Sequence, residues 1–152
     1  MADTGLDTTI RTASVGDAGA IRALHQSGDA ADVAVRLSEH GAVPGTEYYV
    51  VEYRDEVIAA FTLTELGRLR SGSPPRLFLH EIKILPRFRG TELVDGILAW
   101  LETQQGVGHE RELLAMTPVD QRPSAFGGFI SSPSHHIFKW PAAEQQETRD
   151  DR

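Results

Sequence analysis

The segment LHEIKILPRFRGTELVDGILAWLE, from Leu79 to Glu102, carries the strongest structural signal in this 152-residue sequence. Residues 77–85 (LFLHEIKIL) are β-rich and predict a strand, which Pro86 ends. Residues 91–105 carry a wide apolar stripe at helical spacing and predict a helix that ends at Gly106. Strict alternation along the strand places Phe78, His80, Ile82 and Ile84 on one face, and Leu77, Leu79, Glu81, Lys83 and Leu85 on the other.

The segments around this core predict a single α/β domain. Two β-rich runs, 47–53 and 57–64, flank a short polar turn and predict a hairpin. The full predicted order is strand 8–13, helix 17–28, helix 29–40, strand 47–53, strand 57–64, strand 77–85, helix 91–105, strand 112–116, a brief helix at 123–126 and a hairpin-like region at 129–140. We therefore expect a central, mostly antiparallel mixed sheet of six to seven strands with helices on both faces.

Composition limits the classes of protein to which the chain belongs. The sequence predicts a flexible tail at 1–9, one domain at 10–142 and a disordered charged tail at 143–152. The absence of cysteine excludes disulfides, thiolate metal sites and a cysteine nucleophile. The polar N-terminus and the lack of a long apolar run predict a cytoplasmic protein without a membrane span. A net charge of −7 disfavours nucleic acid as a partner.

The junction between the strand and the following helix is a candidate anion site. A strand that runs directly into a helix N-terminus presents unpaired backbone N–H groups, and the helix dipole favours negative charge there. Gly90 would allow a close approach of the backbone, and Arg87 and Arg89 add positive charge at the same edge.

This segment resembles the fourth strand, pyrophosphate loop and following helix of the GNAT superfamily of acyl-CoA-dependent N-acyltransferases. The resemblance extends from about Ile10 to Trp140 and includes the Gly128-Phe129 pair, which is similar to one that follows the family's fifth strand. It implies acetyl-CoA as co-substrate, with the pantetheine along Ile84 and Leu85 and the pyrophosphate on residues 89–93. The cofactor-binding residues implied are Ile84, Leu85, Arg87, Arg89, Gly90, Thr91, Glu92 and Leu93.

Two departures from the family pattern affect the expected activity. Residues 87–91 match the loop pattern, but Glu92 stands where the family has glycine or alanine, and Asp95 adds a second carboxylate in the first helical turn. Either Glu92 points outward and the backbone amides still bind CoA, or the site has lost its cofactor. The family's proton-donating tyrosine also has no counterpart, and Ser124 and Phe126 occupy that neighbourhood.

Three residues are candidates for acid–base chemistry. Glu81 is the candidate general base, because a carboxylate near the acyl group can deprotonate an amine; the alternative is a structural ion pair with Lys83. His80 is a second candidate base, for which we expect a structural role instead. Ser124 is a candidate proton donor, although it also suits the start of a short helix.

The function expected from this resemblance is transfer of an acetyl group from acetyl-CoA to a primary amine of a small molecule or peptide, by direct attack. The alternative is a catalytically degenerate GNAT-fold protein with a binding or regulatory role. No metal is expected: His80-Glu81 lacks the second histidine of a zinc-protease motif, and adjacent His135 and His136 face opposite ways in a strand. Dimers are common in the family, so the resemblance also suggests a homodimer.

Overall fold

A computed structural model describes residues 6–26, 28–38, 44–67, 71–72, 75–89 and 92–115. The strands are β1 (Thr8–Thr12), β2 (Thr46–Tyr53), β3 (Glu56–Leu66), β4 (Arg76–Ile84) and β5 (Glu112–Ala115). The helices are α1 (Ala18–His25), α2 (Ala30–Ser38) and α3 (Leu93–Gln105), with single 3₁₀ turns at Val15–Asp17 and Pro86–Phe88. The helix predicted at 123–126 and the hairpin-like region at 129–140 lie outside the described residues.

The sheet follows the chain order β1-β2-β3-β4-β5. The first four strands pair antiparallel, and β5 pairs parallel with β4 because α3 carries the chain back across the sheet. The predicted hairpin between β2 and β3 is confirmed, and its two turn residues, Arg54 and Asp55, both have positive φ, as a tight hairpin turn requires. The predicted mixed α/β class is thus confirmed, with five strands in the described part of the chain.

The predicted alternation along β4 is wrong after His80, because the strand contains a bulge. Glu81 has φ +55°, and the pairing of β3 with β4 shifts between Ala60 and Thr62. Two residues of β4, Glu81 and Ile82, therefore lie opposite one residue of β3, which reverses the alternation. Beyond the bulge, Ile82 and Ile84 share a core cluster with Leu77 and Leu79, instead of lying on the opposite face from them.

Alternating residues of β2 supply two separate core clusters. Val51 belongs to a cluster with the apolar stripe of α3, in which Ile97 and Leu101 are almost completely buried. Val50 belongs to a second cluster with Leu24 of α1 and Leu37 of α2. None of the helices in the described part of the chain is long and apolar enough to cross a membrane.

A charged cluster ties β1 to the start of α1 and to β2. The guanidinium of Arg11 donates two hydrogen bonds of 2.8 Å to the two carboxylate oxygens of Asp17 and also contacts Glu52. Asp17 is buried, and its Oδ2 accepts a further hydrogen bond of 2.7 Å from the backbone N–H of Ser14. β1 begins at Thr8, two residues before the predicted domain boundary.

Candidate functional site

A cavity of about 340 Å³ lies between the helices α1 and α2 and the sheet, beside the bulge in β4. Three of its lining side chains, the imidazole of His25, the guanidinium of Arg36 and the carboxyl of Glu81, are strongly basic or acidic groups or titrate near neutral pH, and they come from three different elements. The remaining residues that line it are Ile21, Val33, Leu37, Tyr48, Tyr49, Ala60, Phe61 and Thr62.

Glu81 reaches this cavity because of the bulge. Its Oε2 lies 3.4 Å from the hydroxyl of Thr62, on the sheet face that also carries Thr64. His80 contacts Thr64 on that same face, so Glu81 and His80 are not on opposite faces as strict alternation predicts. Among the described residues no ion pair joins Glu81 to Lys83, and the Glu81 side chain remains exposed to solvent.

His25, the last residue of α1, is a functional candidate that sequence reasoning missed. Burial lowers the pKa of its imidazole, the negative charge of Glu81 opposes that change, and the positive charge of Lys83 adds to it. The neutral imidazole is therefore favoured at the cavity wall, where it can accept a proton. The sequence holds no signal for this role, because His25 comes within range of Glu81 only through the packing of α1 on the sheet.

Arg36 was also not identified from the sequence. It lies in the last turn of α2, where its side chain is exposed and lines the cavity. Within the described part of the chain, Arg36 has no carboxylate partner within ion-pair distance. The cavity wall thus presents one carboxylate, one guanidinium and one neutral imidazole.

Two tyrosines line the cavity, and one of them is fixed by contacts in the core. Tyr49 is buried, packs between Phe61 and Trp100, and donates a hydrogen bond from its hydroxyl to Glu47. Burial, together with that hydrogen bond, raises the pKa of the Tyr49 hydroxyl. Tyr48 is half-buried and lines the cavity, and within the described residues its ring does not pack between two aromatic rings as that of Tyr49 does.

His80 has contacts that agree with the structural role expected for it. Its Nε2 lies 2.9 Å from the hydroxyl of Thr64, and its ring stacks on Phe78 with 4.7 Å between ring centroids. It does not line the cavity that holds Glu81 and His25. The imidazole that lines the cavity together with Glu81 is therefore that of His25 rather than that of His80.

The far end of β4 offers an open backbone edge where the pantetheine is expected. β5 pairs with β4 only from Arg76 to Leu79 in the described part of the chain. The backbone N–H of Leu85 donates a hydrogen bond to the carbonyl oxygen of Ile58 on β3, and the carbonyl oxygen of Leu85 accepts one from the backbone N–H of Phe88. Because backbone groups alternate between the two edges of a strand, those of Ile84 face the open edge. Of the two residues predicted to contact the pantetheine, Ile84 is therefore the one whose backbone groups are directed toward that edge.

The structure describes the predicted pyrophosphate loop up to Arg89 and again from Glu92 onward. Arg87 forms an ion pair with Glu56 and lies over the ring of Phe88, whereas Arg89 is exposed. Glu92 is exposed and, among the described residues, makes no side-chain capping bond to α3; Leu93 is buried in the core. Gly90 and Thr91 lie outside the described residues, as do Ser124, His135 and His136.

Metal binding has no support in the part of the chain that the structure describes. Its histidines and carboxylates do not form a group of three or more that could hold an ion. The residues that meet at the cavity are instead suited to proton transfer and to charge recognition.

Comparison with solved structures identifies the fold. Glucosamine-6-phosphate N-acetyltransferase from Arabidopsis thaliana matches with a TM-score of 0.67 and 17% identity, over 88% of this chain and 97% of that one. A transcriptional regulator from Bacillus halodurans C-125 matches with a TM-score of 0.66 and 18% identity, over 90% and 100% of the two chains. The aminoglycoside N-acetyltransferase AAC(6')-Iy, in complex with a CoA bisubstrate analogue, matches with a TM-score of 0.61 and 14% identity, over 89% and 98%.

No protein-family model matches the sequence, and no curated protein matches it significantly. The similarity is therefore carried by the three-dimensional arrangement: the antiparallel strands β1 to β4, the crossover through α3 and the parallel return of β5. This chain has the fold of the GNAT superfamily.

Proposed function

We propose that the protein is an acetyl-CoA-dependent N-acetyltransferase that acts on a primary amine of a small molecule or peptide. The observation that carries this proposal is the bulge in β4, which places the side chain of Glu81 at the wall of a cavity. Among the described residues no strand pairs with the outer edge of β4 at Ile84, so an amine in the cavity and an acyl donor along that edge would meet at β4.

Acetyl-CoA would supply an acetyl group activated as a thioester. Glu81 takes one proton from the bound ammonium, directly or through one water, and frees the nitrogen lone pair. The nitrogen then forms a bond to the carbonyl carbon as the carbon–sulfur bond breaks. The nitrogen then loses its second proton and the thiolate takes up one proton, so that the products are the amide, CoA thiol and the one proton that Glu81 releases to solvent. Ser124, the candidate donor to the thiolate, remains a prediction.

Binding of the pyrophosphate is assigned to the loop before α3. The exposed positions of Arg89 and Glu92 support the reading in which Glu92 points outward and leaves the backbone donors to the anion. Arg87 would contribute less than Arg89, since Glu56 already neutralises it. Binding of the pyrophosphate by residues 89–93, which include Gly90 and Thr91, is part of the proposal.

The second candidate function is a GNAT-fold protein without catalysis, acting in binding or regulation. Two observations favour it: Glu92 interrupts the loop pattern, and one structure of similar fold is that of a transcriptional regulator. The acetyltransferase is preferred because a binding module would not need a carboxylate and a neutral imidazole on one cavity wall.

The remaining expectations belong to the same proposal. They are a complete sheet of six to seven strands with helices on both faces, a cytoplasmic location, and a homodimeric assembly that binds neither nucleic acid nor membrane.

Calorimetric titration of the purified protein with acetyl-CoA tests the donor site. We expect micromolar binding, weakened at least about tenfold by Arg89→Glu because the charge reversal repels the pyrophosphate. Arg22→Glu is the matched control, since Arg22 is exposed on α1 and does not belong to the loop. Absence of binding at millimolar acetyl-CoA would contradict the enzyme and favour the binding role.

Steady-state kinetics with an acetylated amine tests the base. We expect Glu81→Gln to lower kcat about 10²–10⁴-fold with little change in acetyl-CoA affinity, because the amide cannot accept the proton. Glu65→Gln is the control, because Glu65 is exposed on β3 and does not line the cavity. Equal rates for Glu81→Gln and wild type would remove Glu81 from the mechanism.

A further inference from the structure

We propose that the acceptor is a small amine that also carries an oxyanion, with its ammonium group at Glu81 and its anionic group at Arg36. This inference rests on the proposed acetyl transfer, which it deepens by assigning the class of acceptor. Its basis is the pair of opposite charges on the wall of one cavity, on α2 and β4.

The charge of the cavity differs from the charge of the whole protein. The chain carries a net charge of −7, yet Arg36 and Glu81 balance each other among the charged residues that line the cavity. The imidazole of His25, which also lines the cavity, favours its neutral form because burial lowers its pKa. A ligand with one positive and one negative group would therefore complement the charges of the cavity wall. A purely cationic polyamine would instead be repelled by the guanidinium of Arg36.

Arg36 is available to bind an anion. In the described part of the chain it has no ion-pair partner, in contrast to Arg11, Arg76 and Arg87. A guanidinium presents a planar set of donors that matches a carboxylate or a phosphate through two parallel hydrogen bonds. An acceptor that brings such a group could pair with this guanidinium, and the partial exposure of the site keeps the desolvation cost of that pair low.

The rest of the lining limits the size and character of the acceptor. A cavity of about 340 Å³ lies at the small end of the range typical for ligand sites. Ile21, Val33 and Leu37 present apolar surface from the two helices. We therefore expect a compact molecule in which a short apolar or sugar body separates the amine from the oxyanion.

Matched acceptor pairs test this assignment. Leucine against leucinamide isolates a carboxylate, glucosamine 6-phosphate against glucosamine isolates a phosphate, and spermidine represents cation-only amines. We expect kcat/KM to be at least about tenfold higher for the anionic member of one pair than for its neutral partner. Arg36→Gln should abolish that preference, because it should lower kcat/KM for the anionic member much more than for its neutral partner. Arg54→Gln, at an exposed turn residue outside the cavity, should retain the preference.

The readouts separate this inference from the enzyme proposal. Thermal-shift assays without acetyl-CoA measure binding of the same acceptor pairs to the same variants. Acetylation without an anion preference, a preference that Arg36→Gln leaves intact, or spermidine as the best acceptor would each overturn the inference while the acetyltransferase stands. An Arg36-dependent thermal shift without acetyl-CoA binding or acetylation would support the acceptor assignment and contradict the enzyme.

Discussion

At the scale of single residues, the surroundings of His25, which include Glu81, determine the pKa of its imidazole. Burial disfavours the imidazolium of His25, and Lys83 disfavours it further, while Glu81 favours it. In the proposed reaction, the neutral imidazole would be available as a second acceptor for the proton that Glu81 would take from the amine. The chain from α1 thus contributes to a site whose other acid–base group comes from β4.

We predict that NMR titration will find the pKa of His25 below the ordinary histidine value of about 6.5. Lys83→Met should raise the pKa of His25, because it removes a repelling positive charge, and Glu81→Gln should lower it further. Lys83→Arg is the control, since it keeps the charge and should leave the pKa unchanged. A higher pKa in Glu81→Gln than in wild type would contradict this electrostatic arrangement.

At the scale of secondary-structure elements, the bulge in β4 decides which side chains face the cavity. Glu81 occupies a positive φ that a residue with a side chain adopts at a cost of roughly 1–2 kcal/mol. That conformation brings Glu81 onto the face of Thr62 and returns Ile82 to the core. Sequence alternation predicted a regular strand, because nothing in LFLHEIKIL marks Glu81 as the bulged position.

We expect Glu81→Gly to leave the free energy of unfolding within about 0.5 kcal/mol of wild type, because relief of the positive φ offsets the entropy cost of glycine. Lys83→Gly, two residues along the same strand at an ordinary strand conformation, should lose about 1 kcal/mol. Urea denaturation of the two variants measures the difference. Equal losses in both would show that Glu81 carries no backbone strain.

At the scale of the whole molecule, one charged cluster joins three parts of the fold. Arg11 of β1 binds Asp17 at the start of α1 and Glu52 of β2. The hydrogen bonds from Arg11 lower the pKa of Asp17 from 3.8 to about 2, against the opposing effect of burial. Since a lowered pKa means that the folded state favours the carboxylate, Asp17 stabilises the fold above about pH 4.

Asp17→Asn should therefore lower the free energy of unfolding by about 2 kcal/mol at pH 7. The loss should shrink as the pH falls below 4 and vanish only below about pH 2, once the wild-type carboxylate has become protonated on passing through its folded pKa. Chemical denaturation at a series of pH values measures this difference. Glu112→Gln, which removes an exposed ion pair with Arg76, should change stability by less than about 0.5 kcal/mol. A loss for Asp17→Asn that is independent of pH would refute the linkage.

The GNAT fold was expected from the resemblance, whereas the order of elements from β1 to β5, the β2–β3 hairpin and the end of α3 at Gly106 could be determined from the sequence by itself. Those features depend on local periodicity and turn chemistry, which neighbouring residues encode. Glu81 was also identified as a candidate, from its strand and the resemblance. Only the tertiary structure decided the face on which Glu81 lies and that it meets His25 and Arg36. Those three residues come from separate elements, and their meeting depends on a backbone bulge and on the packing of two helices, which no sequence period records.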